Sequence, residues 1–240
     1  QQIRKTFVAR APLRAAPRRM YNRKKCPQGR KRVMKVLLLN GSPRARGCTY
    51  TALAEVERQL VLEGIETELI HVCARPVRGC IGCGRCAVNQ HRCVFGDDPV
   101  NTVLDKLEDV DGLVLGSPVY YASANGSFSA FLDRLFYAGT GFSHKVGAAV
   151  VSARRAGTTA ALDQLNKYFS ISGMPIAPSQ YWNMVHGSSP EDVQKDEEGL
   201  QIMRTLGKNM AWMLKCIEAG RAAGVPLPEE EPRLRTNFIR

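Results

Sequence analysis

The sequence is marked first by what it lacks. Nowhere in its 240 residues is there an apolar run long enough for a membrane span or for the core of a secretory signal, so a soluble protein is expected. Histidine is scarce. His71, His91, His144 and His186 are scattered, and neither HExxH nor a Ser-His-Asp constellation is present, which removes the common hydrolase chemistries. No GxxxxGK[ST] or GxGxxG segment occurs, which disfavours an ordinary P-loop NTPase or a Rossmann dinucleotide domain. Internal repeats and low-complexity tracts are also missing.

Acidic residues are absent from residues 1–33, which hold twelve Lys and Arg. Outside this leader, 22 basic residues face 22 acidic ones, so the net charge of +12 belongs to the leader and the body from Met34 onward is formally neutral. The leader has an Arg-rich, acid-free composition like that of a transit peptide, yet it lacks Ser and carries Pro12, Pro17 and Pro27, which oppose a continuous amphipathic helix. It is expected to be a non-functional extension, with a transit peptide or a basic arm for nucleic acid as the alternatives. The expected organisation is thus a leader over 1–33, one domain over 34–225 and a tail over 226–240.

What is present alternates between two periods. "MKVLLLNGSP" begins with a continuous apolar run, Val36 to Leu39, suited to a strand buried on both faces, and "YTALAEVERQLVLEG" then places Leu53, Val56, Leu60 and Val61 at helical spacing. "ETELIHV" reads as a second strand, "DPVNTVLDKLEDVD" as a helix, "GLVLGSP" as a third strand and "GSFSAFLDRLFYA" as a helix. "HKVGAAVVSA" is a strand, "GTTAALDQLNKYFSISG" a helix, and "MPIAPSQYW" is expected to hold a short last strand before the long amphipathic helix "EGLQIMRTLGKNMAWMLKCIEAG". Strands alternating with helices predict an open parallel sheet covered by helices on both faces, with ligands bound beyond the carboxyl ends of the strands. Three loops lie at those ends, at residues 40–49, 117–125 and 152–158. The first, "NGSPRARGCT", offers backbone N–H groups, the Ser42 and Thr49 hydroxyls and the Arg44 guanidinium at a helix N-terminus, a setting for a phosphate.

A fourth loop is the densest feature in the chain. "RGCIGCGRCAVNQHRC" spaces Cys80, Cys83, Cys86 and Cys93 as Cys-x2-Cys-x2-Cys-x6-Cys, with Gly79, Gly82 and Gly84 allowing a tight backbone. This spacing is closer to ferredoxin-type cluster loops than to paired zinc knuckles. Three readings remain open on the residues alone: a [4Fe–4S] cluster, reduced free thiols, or zinc. His91 is a further candidate ligand inside the loop.

The segments "LLLNGSPRARGCT", "GSPVYYASANGSFSAFLDRLFY" and "VVSARRAGTT" together resemble the three flavin-contacting loops of the flavodoxin-like, NAD(P)H-dependent FMN reductase family, in order and across Met34 to about Ile217. The resemblance implies a three-layer sandwich with a five-stranded parallel sheet of order 2-1-3-4-5. It places Ser42, Arg44, Gly47, Cys48 and Thr49 around the FMN phosphate. Pro118, Val119, Tyr120, Tyr121 and Asn125 would line the ring and ribityl chain, with Arg154, Arg155 and Gly157 approaching the ring. Cys48 stands where relatives commonly have Asn. The cysteine loop, placed after the second strand, resembles that of the iron–sulfur flavoproteins of the same group.

The expected function is therefore an FMN-dependent oxidoreductase that takes reducing equivalents from NADH or NADPH and delivers them to a small acceptor such as flavin or quinone, directly or through a [4Fe–4S] cluster. Flavin carries the chemistry, so no side-chain nucleophile is required. A non-enzymatic iron–sulfur electron carrier and a nucleic-acid-associated protein are the competing classes. A homodimer or higher homo-oligomer, a redox protein partner, no membrane association and a cytoplasmic location complete the expectation.

Overall fold

The structure, a computed structural model, describes residues 33–229 together with 231, 232, 234 and 236. Apart from Val33, the basic leader and its expected roles lie outside the described residues. Parallel strands β1 (Lys35–Asn40), β2 (Glu66–His71), β3 (Gly112–Tyr120), β5 (Val146–Ala153) and β6 (Met184–His186) lie in the order β2-β1-β3-β5-β6, with a two-residue strand β4 (Ser123–Ala124) folded back antiparallel on β3. Setting β4 aside, this is the flavodoxin-like order expected.

Strand period decides which helix packs where. Leu37 and Leu39 of β1, with Leu113 and Leu115 of β3, share a core with α2 (Val100–Leu107), α3 (Gly126–Ala138) and α4 (Thr158–Ile171). Val36 and Leu38, with Val114 of β3 and Val146, Ala148 and Val150 of β5, face the opposite way onto α1 (Cys48–Leu62), α5 (Pro190–Lys195) and α6 (Glu197–Ala222). Three layers result. Each fully buried Leu or Phe contributes about 1.5–3 kcal/mol through removal from water, so the two faces together fix the sheet and with it the positions of the loops at its carboxyl edge.

Two sequence expectations are corrected. The last strand is not at residues 174–182 but at Met184–His186. Ile176 makes only an isolated bridge to Gly147, with Gly147 N–H donating to the Pro175 carbonyl and Ala177 N–H to the Gly147 carbonyl. Pro178 has no N–H to continue the ladder, and the chain leaves the sheet until Met184 pairs with Val151. The second correction is β4, which adds a strand to the expected five. Val119 pairs with Ala124 and Tyr120 with Ser123, closing a tight hairpin in which Tyr121 takes the left-handed backbone at φ 58. Among the described residues no helix is long and apolar enough to cross a membrane.

Candidate functional site: a phosphate cradle and a cysteine loop

The loop after β1 is held shut from inside. Buried Asn40 accepts a hydrogen bond from Ser42 N–H at 3.0 Å and donates from Nδ2 to the Ala45 carbonyl at 3.1 Å. Ser42 Oγ accepts from Arg44 N–H at 3.1 Å, and His71 at the end of β2 donates from Nε2 to the Ser42 carbonyl at 2.7 Å. From the other side, buried Asn125 donates from Nδ2 to the Gly41 carbonyl at 2.7 Å, accepts from Ser127 N–H as the cap of α3, and has its own N–H on Ser117 Oγ. Gly41 itself passes over Phe128 so closely that a Cβ there would lie 2.2 Å from the ring. The loop's shape is therefore set before any ligand arrives.

Loops 41–47, 117–121, 152–155 and 187–188 enclose an open cleft of about 280 Å³. Its lining includes Ser42, Arg44, Cys48, Thr49, Pro118, Val119, Tyr120 and Arg154, with two arginines and no carboxylate. The helix ends around it follow a pattern. α3, α5 and α6 are capped by the Asn125, Ser189 and Asp196 side chains, whereas α1 and α4 begin after Gly47 and Gly157 with no side-chain cap, as does α2 after Pro99. First-turn N–H groups have no partner inside a helix, so an uncapped N-terminus with a nearby guanidinium is suited to an anion. Thr49 Oγ1 and Ser152 Oγ share a hydrogen bond of 2.8 Å that ties α1 to β5 beneath the cleft. Cys48 Sγ donates to the Gly187 carbonyl at 3.6 Å, and burial pushes its thiol pKa up, partly offset by its own backbone N–H and by Arg44.

Of the residues singled out from the sequence, the eight named above line the cleft and five stand behind or beside it. Asn125 ties two loops together and Gly47 precedes α1. Gly157 adopts φ 89 and packs so tightly that a Cβ would meet Val119 at 2.9 Å, which keeps the loop after β5 against the cleft wall. Arg155 is exposed and Tyr121 is fully exposed at the mouth. Sequence reading placed the loop 152–158 at the strand ends without naming Ser152 or Ala153, and it missed Gly187 and Ser188. Ser152 interrupts an apolar strand, and Gly187–Ser188 precedes the Ser-Pro-Glu-Asp start of α5; both were readable signals.

The cysteine loop occupies residues 72–99, between β2 and α2. Val72, Cys73 and Val77 root it in the core, where burial pushes the Cys73 thiol up to about 12, but no residue from 78 to 99 is buried. A 3-10 turn (Arg85–Ala87) and left-handed conformations at Gly82, Gly84, Gln90 and His91 coil the segment on itself. Cys80, Cys83, Cys86 and Cys93 all line one small pocket of about 20 Å³, closed by Ile81, Val94, Phe95 and, from α3, Arg134, Tyr137 and Ala138. The Cys86 thiol pKa is raised, first by burial and also by neighbouring Cys83 and Cys80. Among the described residues no three His, Cys, Asp or Glu side chains are gathered tightly enough for a single metal ion. Four thiols around one pocket nevertheless match, in donor type and number, a cluster that takes each thiolate on a separate iron. All seven described cysteines are free.

Arg134 is the residue that sequence reading passed over. It sits on α3 between Phe131 and Leu135, is 1% exposed, and crosses into the loop. Its guanidinium pairs with Asp98, donates to the Arg78 carbonyl at 3.2 Å and places Nε 3.2 Å from Cys93 Sγ. Burial works against its charge, and hydrogen bonds to Asp98 and Cys93 more than offset this, so its pKa is raised. A lone Arg on an otherwise apolar helix face was the available signal.

Comparison with known proteins agrees with this geometry. The family model described as NADPH-dependent FMN reductase matches residues 34–189. An iron–sulfur flavoprotein of Methanocaldococcus jannaschii is 34% identical over 194 residues, covering 77% of this chain and all of that protein. Among solved structures, RosB with bound 8-demethyl-8-formylriboflavin-5'-phosphate superposes with TM-score 0.63 at 16% identity, covering 87% of this chain and 93% of the other. A flavodoxin from the Archaea gives TM-score 0.53 at 16% identity over 76% of this chain and 99% of its own. The family-model match over residues 34–189 and the 34% identity to a whole iron–sulfur flavoprotein show that the chain belongs to the NADPH-dependent FMN reductase family and groups there with the iron–sulfur flavoproteins.

Proposed function

We propose that the protein is an FMN-dependent oxidoreductase that accepts reducing equivalents from NADH or NADPH at the cleft and passes them to a small acceptor, flavin or quinone, with a [4Fe–4S] cluster in the cysteine loop as a one-electron port. The observation that carries this reading is the pairing, at one sheet edge, of a cleft lined by two arginines and no carboxylate, over an uncapped helix, with a pocket lined by four thiols.

The residues at the cleft fit the phosphate and ring of FMN. The Arg44 guanidinium, the Ser42 hydroxyl and the first-turn N–H groups of α1 would hold the phosphate, and the bonds from Asn40, His71 and Asn125 keep that cradle from collapsing. Pro118, Val119 and Tyr120 would give one side of the ring an apolar wall. Arg154 supplies positive charge, which favours an anionic reduced ring. Flavin, when bound, supplies the step between two-electron hydride donors and one-electron acceptors. Cys80, Cys83, Cys86 and Cys93 would ligate the cluster. Tyr121, fully exposed next to the cleft residue Tyr120, would be open to contact by a second copy of the chain in the homodimer that the family resemblance implies.

Anaerobic turnover tests the enzyme reading. Protein loaded with FMN should oxidise NADH or NADPH in the presence of free flavin or a quinone, and Arg154→Ala should slow it. Flavin retention without nicotinamide oxidation would leave an electron carrier instead.

A further inference from the structure

Arg134 spends its guanidinium on the cysteine loop. Nη1 donates to the Arg78 carbonyl and to Asp98, Nη2 to the Phe95 carbonyl at 3.5 Å and to Asp98 at 3.2 Å, and Nε to Cys93 Sγ at 3.2 Å. The plane also lies 5.0 Å from the Phe95 ring centroid. The carbonyl and carboxylate bonds are what a structural pin would make. The bond to sulfur is different, because a thiol is a poor acceptor and a thiolate a good one.

Resting on the cluster reading above, we infer that Arg134 is a positioning residue that sets the reduction potential of the cluster through Cys93. Its N–H draws electron density from the Cys93 sulfur, and its buried charge stabilises the extra negative charge left by a one-electron reduction, the electron coming from flavin reduced by the nicotinamide donor. Asp98, 9% exposed and paired with the same guanidinium, partly cancels that field. The two residues therefore act on the potential with opposite signs. Cys80, Cys83 and Cys86 receive no such bond from Arg134, so Cys93 is set apart from the other three.

The test is a mediated dithionite titration, followed by electron paramagnetic resonance, of wild-type, R134Q and D98N proteins after anaerobic reconstitution with iron and sulfide. R134Q should lower the equilibrium constant for reduction about tenfold, which is about 59 mV more negative for a one-electron couple, and D98N should shift the potential the other way. Unchanged potentials, or shifts of both variants in the same direction, would overturn the assignment and leave Arg134 a structural pin. If R134Q takes up no cluster, D98N decides alone: a more positive potential supports the inference and an unchanged or more negative one overturns it. A wild-type protein that binds no iron and sulfide overturns the cluster reading, and this inference with it.

Discussion

The cleft and the cysteine loop leave the same sheet edge from neighbouring strands, β1 and β2, and they are held in opposite ways. Around the cleft, buried Asn40 braces its own loop from within, Asn125 and Ser152 tie loops to other elements, and Gly41 is pressed onto Phe128. The cysteine loop has no buried residue between 78 and 99 and is tied to the domain chiefly by Arg134, supported by hydrogen bonds between Asn101 and the Cys93 and Phe95 backbone. A segment with so little apolar burial cannot offset its own ordering entropy. The contrast teaches that the cleft is preorganised by the fold, while the cysteine loop leans on one cation from α3.

This contrast is open to being broken. The largest effect is expected for Cys93→Ser, which should remove essentially all iron from reconstituted protein while flavin content stays near wild type, as read by iron and flavin analysis. Equal loss of both would mean the two regions are not separately held. Next, Asn125→Ala removes a buried hydrogen bond to Gly41 and a helix cap, at a cost of about 2–4 kcal/mol; denaturant unfolding should show this together with weaker FMN binding. Arg44→Ala should weaken FMN binding about tenfold to a hundredfold by fluorescence titration, from loss of a charge-assisted contact, without changing iron content. Gly157→Ala, at φ 89 and against Val119, should cost about 1–2 kcal/mol in a melting experiment.

The smallest effect concerns a carboxylate at neither site. Lys106 and Lys35 hydrogen-bond Glu68 and hold its pKa below the ordinary 4.5. Its contribution is fully present above that value and is lost as pH falls through the lower folded pKa. Glu68→Gln should therefore cost only about 0.2–1 kcal/mol at pH 7 and should flatten the acid limb of the stability profile, with both sites intact.

The fold was legible where local signals agreed. The segment read as a helix, residues 126–138, coincides with α3, because Asn125 caps its start and Gly139 follows its last turn. The last strand was misplaced because Ile176 and Ala177 do pair briefly with Gly147, and the strand resumes only after Pro178 has broken the ladder. That error concealed Gly187 and Ser188, since a loop at a strand's carboxyl end is not sought where no strand is drawn. The phosphate loop was legible as a strand–loop–helix unit. Its internal scaffold was only partly so: Asn40 bonds to Ser42 and Ala45 within the same loop, but His71 and Asn125 reach the loop from 29 and 84 residues away. Arg134 was hidden for the same reason: its partners lie 36–56 residues away.

The most direct test of two redox sites in one chain is an anaerobic absorption spectrum with flavin, iron, sulfide and zinc analysis on protein purified away from oxygen. The account predicts flavin bands with about one flavin, four iron and four sulfide per chain. Flavin without iron, or zinc in its place, would contradict it and leave a plain flavin reductase whose four cysteines serve another purpose.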